Sequence, residues 1–509
     1  MASKEVAIIG AGAGGTSAAY FLKQYAAEAG TSVKITIFDR NPYIGGRSTT
    51  VDAWDNPAEP VELGASIFVQ VNKNLVDAAK HFDLSTDGMS KGKTASSGPQ
   101  LGIWNGEEFV ITTSANSDWW NMAKILYRYG WAPIKTNRLM KEVVGRFLKM
   151  YEAPNFPWSS LSDILSELGL IKATGVTGEQ YLKEKGVSDL FAREIIQAST
   201  RVNYAQNLPL IHGVETMVCM ATDGAMSIEG GNWQIFDCMA HSASNDIQLD
   251  TNVTTLRKLP DEGYEVHWTR SGDTLDMTPS RKRYDSVVFA APYQFSNIHL
   301  DVSVFKIPDR VSYVELHVTL FASPHALSPA AFGLKPSEAV PQIILTTLQP
   351  DEKPGANPHY DAKAGFFSIS TLREAQNPNT NPPRTEYIYK IFSPKPAQSD
   401  FIAQILGLDP HNIKDEISKD HVTWIHRKVW NSYPYEYPRV TFEELRLDRN
   451  LWYTSGIEGF ISTMETSSLM GMNIARLIVD EWLKEKTLAE ETTRALDSLV
   501  QQKPLKAKL

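Results

Sequence analysis

Residues 5–39 narrow the possible folds more than any other stretch of this chain. Val6 to Ile9 form a short apolar run, and three glycines follow at Gly10, Gly12 and Gly15. TSAAYFLKQYAAEA then continues with small and apolar residues at helical spacing. A second apolar run, VKITIFD, ends in the carboxylate of Asp39. Strand, glycine loop, helix, strand and terminal acid in this order predict a dinucleotide-binding βαβ unit. Gly10 allows the tight turn, Gly12 lets the backbone approach a pyrophosphate, and Gly15 lets the helix pack closely on the strand. Gly14 belongs to the same loop. The helix start turns its free N–H groups and positive dipole end toward the phosphates. Asp39 is placed to accept hydrogen bonds from ribose hydroxyls, and Arg40 is counted with it among the cofactor contacts. Both NAD and FAD satisfy a unit of this kind.

Five residues beyond Asp39 stands Gly45-Gly46-Arg47, which a nicotinamide site does not need. This spacing resembles the second signature of the flavoprotein class that includes the amine oxidases. The resemblance implies that Gly46 lets the chain turn beneath an extended FAD and that Arg47 helps neutralise its pyrophosphate. VELGASIF resembles the segment of that class that passes close to the isoalloxazine ring, which adds Gly64, Ala65 and Ser66 to the expected contacts. IQLDTNVTTLRKL is expected to supply a strand whose Val253 backbone faces the adenine. YEVHWTR continues the meander, and YDSVVFAAP returns the chain to the nucleotide domain. Near the far end, GIEGFISTMETSSLMGMNIARLIVDEWL brings Glu458 toward the ribityl or pyrophosphate region. Met464, Glu465 and Thr466 then open a helix whose N-terminal dipole faces the flavin pyrimidine oxygen and favours hydride acceptance.

The fold class expected is α/β (α+β taken together): a Rossmann-like FAD-binding domain of the glutathione-reductase/amine-oxidase type, with a discontinuous substrate domain of helices and an antiparallel sheet. Residues 1–84, 226–295 and 441–485 are assigned to the first domain, 85–225 and 296–440 to the second, and 486–509 to a polar C-terminal tail. Residues 85–225 read as mainly helical, with SDWWNMAKILYRYGW and RLMKEVVGRFLKMYEA as aromatic-rich amphipathic stretches. SYVELHVTLFAS, AVPQIILTTLQ, GFFSIS and TEYIYKIFS read as strands, and NPNTNPPR as a flexible surface connector.

A net charge of −9 argues against nucleic acid as the main partner, because phosphate binding needs a basic face. No apolar run reaches the ~18 residues of a membrane-spanning helix. Cys219 and Cys238 are too sparse for a disulfide framework and read as free structural thiols. The 11 histidines show no metal-ligand spacing, so no metal is expected. The glycine loop begins too close to the N-terminus to leave room for a signal peptide, so secretion by that route is not expected. Ala507-Lys508-Leu509 is similar to the Ser-Lys-Leu address read by the peroxisomal import receptor, so a peroxisomal location is expected, with the cytoplasm second.

Several stretches together resemble the prenylcysteine oxidase family: VAIIGAGAGGTSAAYFL, GASIF, RVNYAQN, GAMSIEGGN, IILTT, SPKP and GIEGFISTMETSSL. The resemblance implies an FAD-dependent oxidase that takes a hydride from the carbon beside the sulfur of a prenyl thioether or a related hydrophobic natural product. Water then adds, an aldehyde and a thiol separate, and O2 reoxidises the flavin with release of H2O2. It also implies that Tyr204 orients substrate or water and that Glu229 binds cofactor or assists proton transfer. The competing readings are a non-catalytic prenyl-binding protein of the GDP-dissociation-inhibitor type, a flavin dehydrogenase using another acceptor, and an NAD-dependent dehydrogenase.

Overall fold

The computed structural model describes residues 3–88, 99–114, 118–272, 279–300, 306–360, 362–410 and 417–501. Ala507-Lys508-Leu509 lies outside the described residues. Strand β1 (Lys4–Ile9) is buried from Val6 onward. It pairs in parallel with β2 (Val33–Phe38) on one side and with Ser286–Phe289 on the other. A parallel strand covered on both faces needs an almost unbroken apolar sequence, which VAII and VVF supply. The six-stranded sheet continues outward to Asp246–Gln248 at one edge and to Leu451–Tyr453 and Arg446–Asp448 at the other. Helix α1 (Ala13–Glu28) packs against the long C-terminal helix Met464–Gln501. The two helices approach so closely that a Cβ on Gly471 would stand 2.4 Å from the Gly14 carbonyl oxygen. Only glycine fits there.

A four-stranded sheet, Ser280–Tyr284, Tyr264–Arg270, Thr251–Lys258 and His299–Leu300, covers one side of the nucleotide sheet. The remaining large sheet has seven strands in the order Trp424–Pro434, Tyr313–Ser323, Arg384–Ser393, Ser368–Asn377, Ile343–Thr346, Pro99–Trp104 and Phe109–Ser114. It is antiparallel except where Ile343–Thr346 runs parallel to Pro99–Trp104. The fold class is therefore α/β, a Rossmann-like unit joined to helices and a largely antiparallel sheet. Among the described residues, no helix is long and apolar enough to cross a membrane.

The structure corrects the sequence reading in four places. Pro99–Ser114 is a hairpin within a region read as mainly helical, and it extends the large sheet. Trp424–Pro434, not expected to be a strand, forms the sheet edge. Its half-exposed residues HRKVWN leave little hydrophobic alternation to read. NPNTNPPR is not a loose connector: Asn377 pairs with Arg384 across a hairpin, and buried Asn377 donates Nδ2–H to Glu386 Oε1 at 2.9 Å. The C-terminal helix passes through the expected start of the tail and runs on to Gln501, largely solvated from Lys484 to Leu496.

Candidate active site

The glycine loop is built by steric necessity. Gly10 has φ +116°, and a Cβ there would meet the Ala290 carbonyl oxygen at 2.4 Å. A Cβ on Gly15 would fall 1.9 Å from the Gly10 carbonyl oxygen. Gly12 is different. Its backbone is extended (φ −83°, ψ −173°), and the nearest atom to an added Cβ is Gly46 Cα at 3.8 Å. Nothing within the protein requires glycine at this position, so its small size leaves room for something else. Helix α1 begins there with no side-chain cap and no acid in its first turn, which suits an anion at its N-terminus.

The Gly45-Gly46 turn closes over this loop. Gly45 N–H donates to the Ala11 carbonyl at 2.9 Å, and Gly46 lies against Gly12. Asp39, buried beneath, accepts from Ala11 N–H at 2.7 Å through Oδ2 and from Asn41 N–H and Nδ2–H through Oδ1. Burial pushes its carboxyl above the usual range, against the pull of these bonds. Three of roughly four acceptor sites are thus spent on the loop, leaving about one for a ribose hydroxyl. Ser48 Oγ is buried beside the turn without a hydrogen-bond partner among the described residues. A glycine at position 12 that the protein's own packing does not require, the uncapped helix start and this unsatisfied hydroxyl fit a bound dinucleotide.

Arg47 reaches the closing segment. Its Nη2 lies 2.7 Å from Glu458 Oε1, and Nη1 donates to the Ser432 carbonyl at 2.6 Å. Tyr313 O–H donates to the other Glu458 oxygen at 3.1 Å. Gly14 meets Thr454, and Gly64 approaches the Arg47 carbonyl. Contacts of this kind link Gly10, Gly12, Gly14, Gly15, Asp39, Gly46, Arg47, Gly64 and Glu458 into one connected group around the glycine loop. Arg40 stands at its exposed margin, donating to the Phe295 carbonyl at 2.8 Å, and Val253 is buried in the neighbouring core.

The start of the C-terminal helix differs in detail from the expectation. Thr463 caps it by accepting from Thr466 N–H at 3.1 Å, and Thr466 Oγ1 is held within the same turn. Partly buried Met464 opens the helix. The Glu465 side chain is committed elsewhere: it accepts from Asn74 N–H, Leu75 N–H and Tyr151 O–H at 2.9, 3.1 and 2.6 Å. It therefore ties the first turn of helix Lys73–His81 to the C-terminal helix. Burial raises its carboxyl to about 7.

Sequence reasoning missed a polar network beside Ala65 and Ser66. Lys390, buried in strand Arg384–Ser393, donates to the Glu62 carbonyl at 2.8 Å and to Ser66 Oγ at 2.6 Å. Asn232 N–H donates to Glu62 Oε1 at 2.6 Å, and Asn232 Nδ2–H to the Ala65 carbonyl at 2.8 Å. Burial lowers the Lys390 ammonium and raises the Glu62 carboxyl. Within GAMSIEGGN, Asn232 is therefore the buried polar group, whereas Glu229 is exposed and makes none of these contacts. A lysine flanked by buried apolar residues in a strand was the available signal.

Tyr204 is buried behind the capped helix, its O–H donating to the Ser462 carbonyl at 3.3 Å and its ring edge against Tyr433. Around it lie three further buried groups, His212, Glu215 and Glu436. His212 Nδ1 accepts from Glu215 N–H at 3.1 Å, and its Nε2 is 3.7 Å from Glu436 Oε2. Burial pushes both carboxyls up and lowers the imidazole to about 3. All three shifts run toward the uncharged form.

The comparisons with known proteins extend over most of the chain. Residues 112–491 match a family model described as prenylcysteine lyase, and residues 8–82 match an NAD(P)-binding Rossmann-like domain. A farnesylcysteine lyase of Arabidopsis thaliana is 27% identical over 97% of this chain and 91% of its own length. Human prenylcysteine oxidase 1 is 26% identical over 94% of this chain and 89% of its own. Among solved structures, a putrescine oxidase double mutant has a TM-score of 0.56 at 15% identity, covering 94% of this chain and 99% of that one. Cyclohexylamine oxidase from Brevibacterium oxydans has a TM-score of 0.55 at 14% identity, covering 94% and 100%. These structures share the fold.

Proposed function

The chain belongs to the prenylcysteine lyase family and is an oxidoreductase of the flavin-dependent type, and we propose that it oxidises a prenyl thioether such as farnesyl- or geranylgeranylcysteine. The observation that carries this reading is the span of the family match. It includes the substrate half, where a glycine loop alone would speak only for a nucleotide.

Bound against the glycine loop, FAD would supply a hydride acceptor that O2 regenerates with release of H2O2. The residues of the chain hold it and order the reactants. Gly12 and Gly46 admit the pyrophosphate to the start of α1, Asp39 takes a ribose hydroxyl, and Glu458 holds Arg47 against the closing loop. Gly64, Ala65 and Ser66 form the wall beside the flavin ring, with Lys390 and Asn232 fixing that wall from behind. The substrate loses hydride from the carbon beside sulfur, water adds to the resulting cation with loss of a proton, and the C–S bond breaks to leave an aldehyde and a thiol. Lys390 acts on this chemistry through the wall alone, its Nζ holding Ser66 Oγ and the Glu62 carbonyl in place. Tyr204 stiffens the turn at Ser462, where the C-terminal helix begins.

Anaerobic mixing of the FAD-loaded protein with farnesylcysteine tests the reading. Loss of the yellow colour with release of free cysteine supports it. Persistent colour and no cysteine would overturn it.

A further inference from the structure

We propose that the corner between helices Asp118–Tyr129 and Ala132–Leu148 is a docking surface for an anionic lipid membrane, on which the protein lies without crossing it. The stretch from Asn121 to Lys141 carries Lys124, Arg128, Lys135, Arg138 and Lys141 and no acidic residue, in a chain whose net charge is −9. The same corner exposes Met122, Tyr127, Trp131 and Ile134, with Tyr127 at 95% and Trp131 at 79% relative exposure. Single exposed apolar residues need no explanation, but four within one helical corner do.

The two helices have an ordinary inner face, where Tyr129, Ala132, Thr136, Met140, Val143 and Phe147 are buried. Between Asn121 and Lys141 this face carries aromatic and aliphatic side chains beside Lys124, Lys135, Arg138 and Lys141, while Arg128 is paired with Glu194 and the exposed Glu142 just beyond with Arg146. Apolar side chains flanked by bases are the composition of helices that settle into the headgroup boundary. Tyrosine and tryptophan favour that boundary because each has an apolar body and a polar tip, and lysine and arginine stems reach outward to phosphate. Charge of one sign on an otherwise acidic protein also fixes the orientation of approach.

The corner is presented rigidly. Arg128 grips Glu194 through Nε and Nη2, both at 2.8 Å, and Tyr129 O–H donates to the same carboxylate at 2.7 Å. Lys135 Nζ donates to the Gly186 carbonyl at 3.0 Å. Glu194 lies in the π-helical turn Ala192–Ile196, which runs directly into helix Gln197–Tyr204. The surface is thereby joined through backbone to the element that carries Tyr204. Its existence does not depend on the substrate proposed above.

Cosedimentation of the full chain with vesicles tests the inference. Binding is expected to vesicles containing phosphatidylserine, weakly or not at all to phosphatidylcholine alone, and to fall with added salt. The double variant Tyr127→Ala/Trp131→Ala and the variant Arg138→Glu/Lys141→Glu should each weaken binding by roughly tenfold or more. Flavin content and thermal unfolding should stay unchanged, since all four side chains are exposed. No binding to the anionic vesicles, or binding unaltered in both variants, would overturn the proposal. Self-association of the wild type that Trp131→Ala abolishes, with no vesicle binding, would overturn it in favour of a contact between copies.

Discussion

Gly12→Ala separates the needs of the fold from those of the cofactor. At Gly15 an added methyl lies 1.9 Å from a backbone oxygen, and at Gly10 it lies 2.4 Å from another, with φ at +116°. Overpacking costs ~1–3 kcal/mol, and left-handed strain a further ~1–3 kcal/mol. Neither contact can be relieved by rotating a side chain, so both variants should lie at the upper end. At Gly12 the backbone angles are ordinary for alanine and the nearest contact is 3.8 Å. The gain from a stiffer unfolded chain, ~0.4–1 kcal/mol, is offset by a poorer helix cap. Apoprotein stability should therefore stay within about 1 kcal/mol of wild type. Yet the methyl would stand where the backbone must approach the pyrophosphate. FAD affinity should fall at least tenfold, or about 1.4 kcal/mol. Urea unfolding of the flavin-stripped proteins reads the first quantity, and quenching of flavin fluorescence on titration reads the second. If Gly12→Ala unfolds as early as Gly15→Ala, or binds FAD like the wild type, the assignment of this space to a phosphate is wrong.

Two further outcomes follow from the buried polar groups. His212 accepts its proton at about 3 in the folded state, chiefly because of burial and then the nearby charge of Arg439, and at about 6.5 when unfolded. The unfolded chain thus binds more protons between these values, so the stability His212 contributes is complete above pH ~6.5 and is lost as pH falls toward 3, up to roughly 5 kcal/mol. His212→Asn keeps a capping acceptor and should flatten the acid limb of the unfolding curve; an unchanged slope would refute the buried neutral imidazole. Lys390→Met should slow substrate-dependent flavin reduction by on the order of 10²-fold while FAD binding is kept, because the wall at Ser66 loses its anchor. Stopped-flow reduction at the wild-type rate would remove Lys390 from the site.

The parts of the fold legible in the sequence were those written locally. Gly10 and Gly15 announce contacts that no other residue survives, and the apolar runs of β1 and Ser286–Phe289 announce strands buried on both faces. Met464 does open the C-terminal helix, since Thr463 and Thr466 carry an ordinary capping pattern. Groups whose partners are distant in the chain left no such mark. Glu465 reads as an acid in a first turn, but its side chain caps another helix nearly 400 residues earlier, through Asn74 and Leu75. Glu229 and Asn232 stand three apart in one motif, and only the fold decides that asparagine faces inward. The buried cluster of His212, Glu215 and Glu436 was hidden for the same reason, because Glu436 reaches it from beyond the large sheet.

The contact of Gly14 with Gly471 sets an order on biosynthesis. Strand β1 waits for a parallel neighbour at Ser286–Phe289, made about 280 residues later, and α1 waits for a cover that begins only at Met464. Pairings this remote are slow to form and leave apolar surface open meanwhile. Nascent chains halted before Met464 should therefore remain protease-sensitive around β1 and α1, and the nucleotide site should mature late although its glycine loop is translated long before Met464.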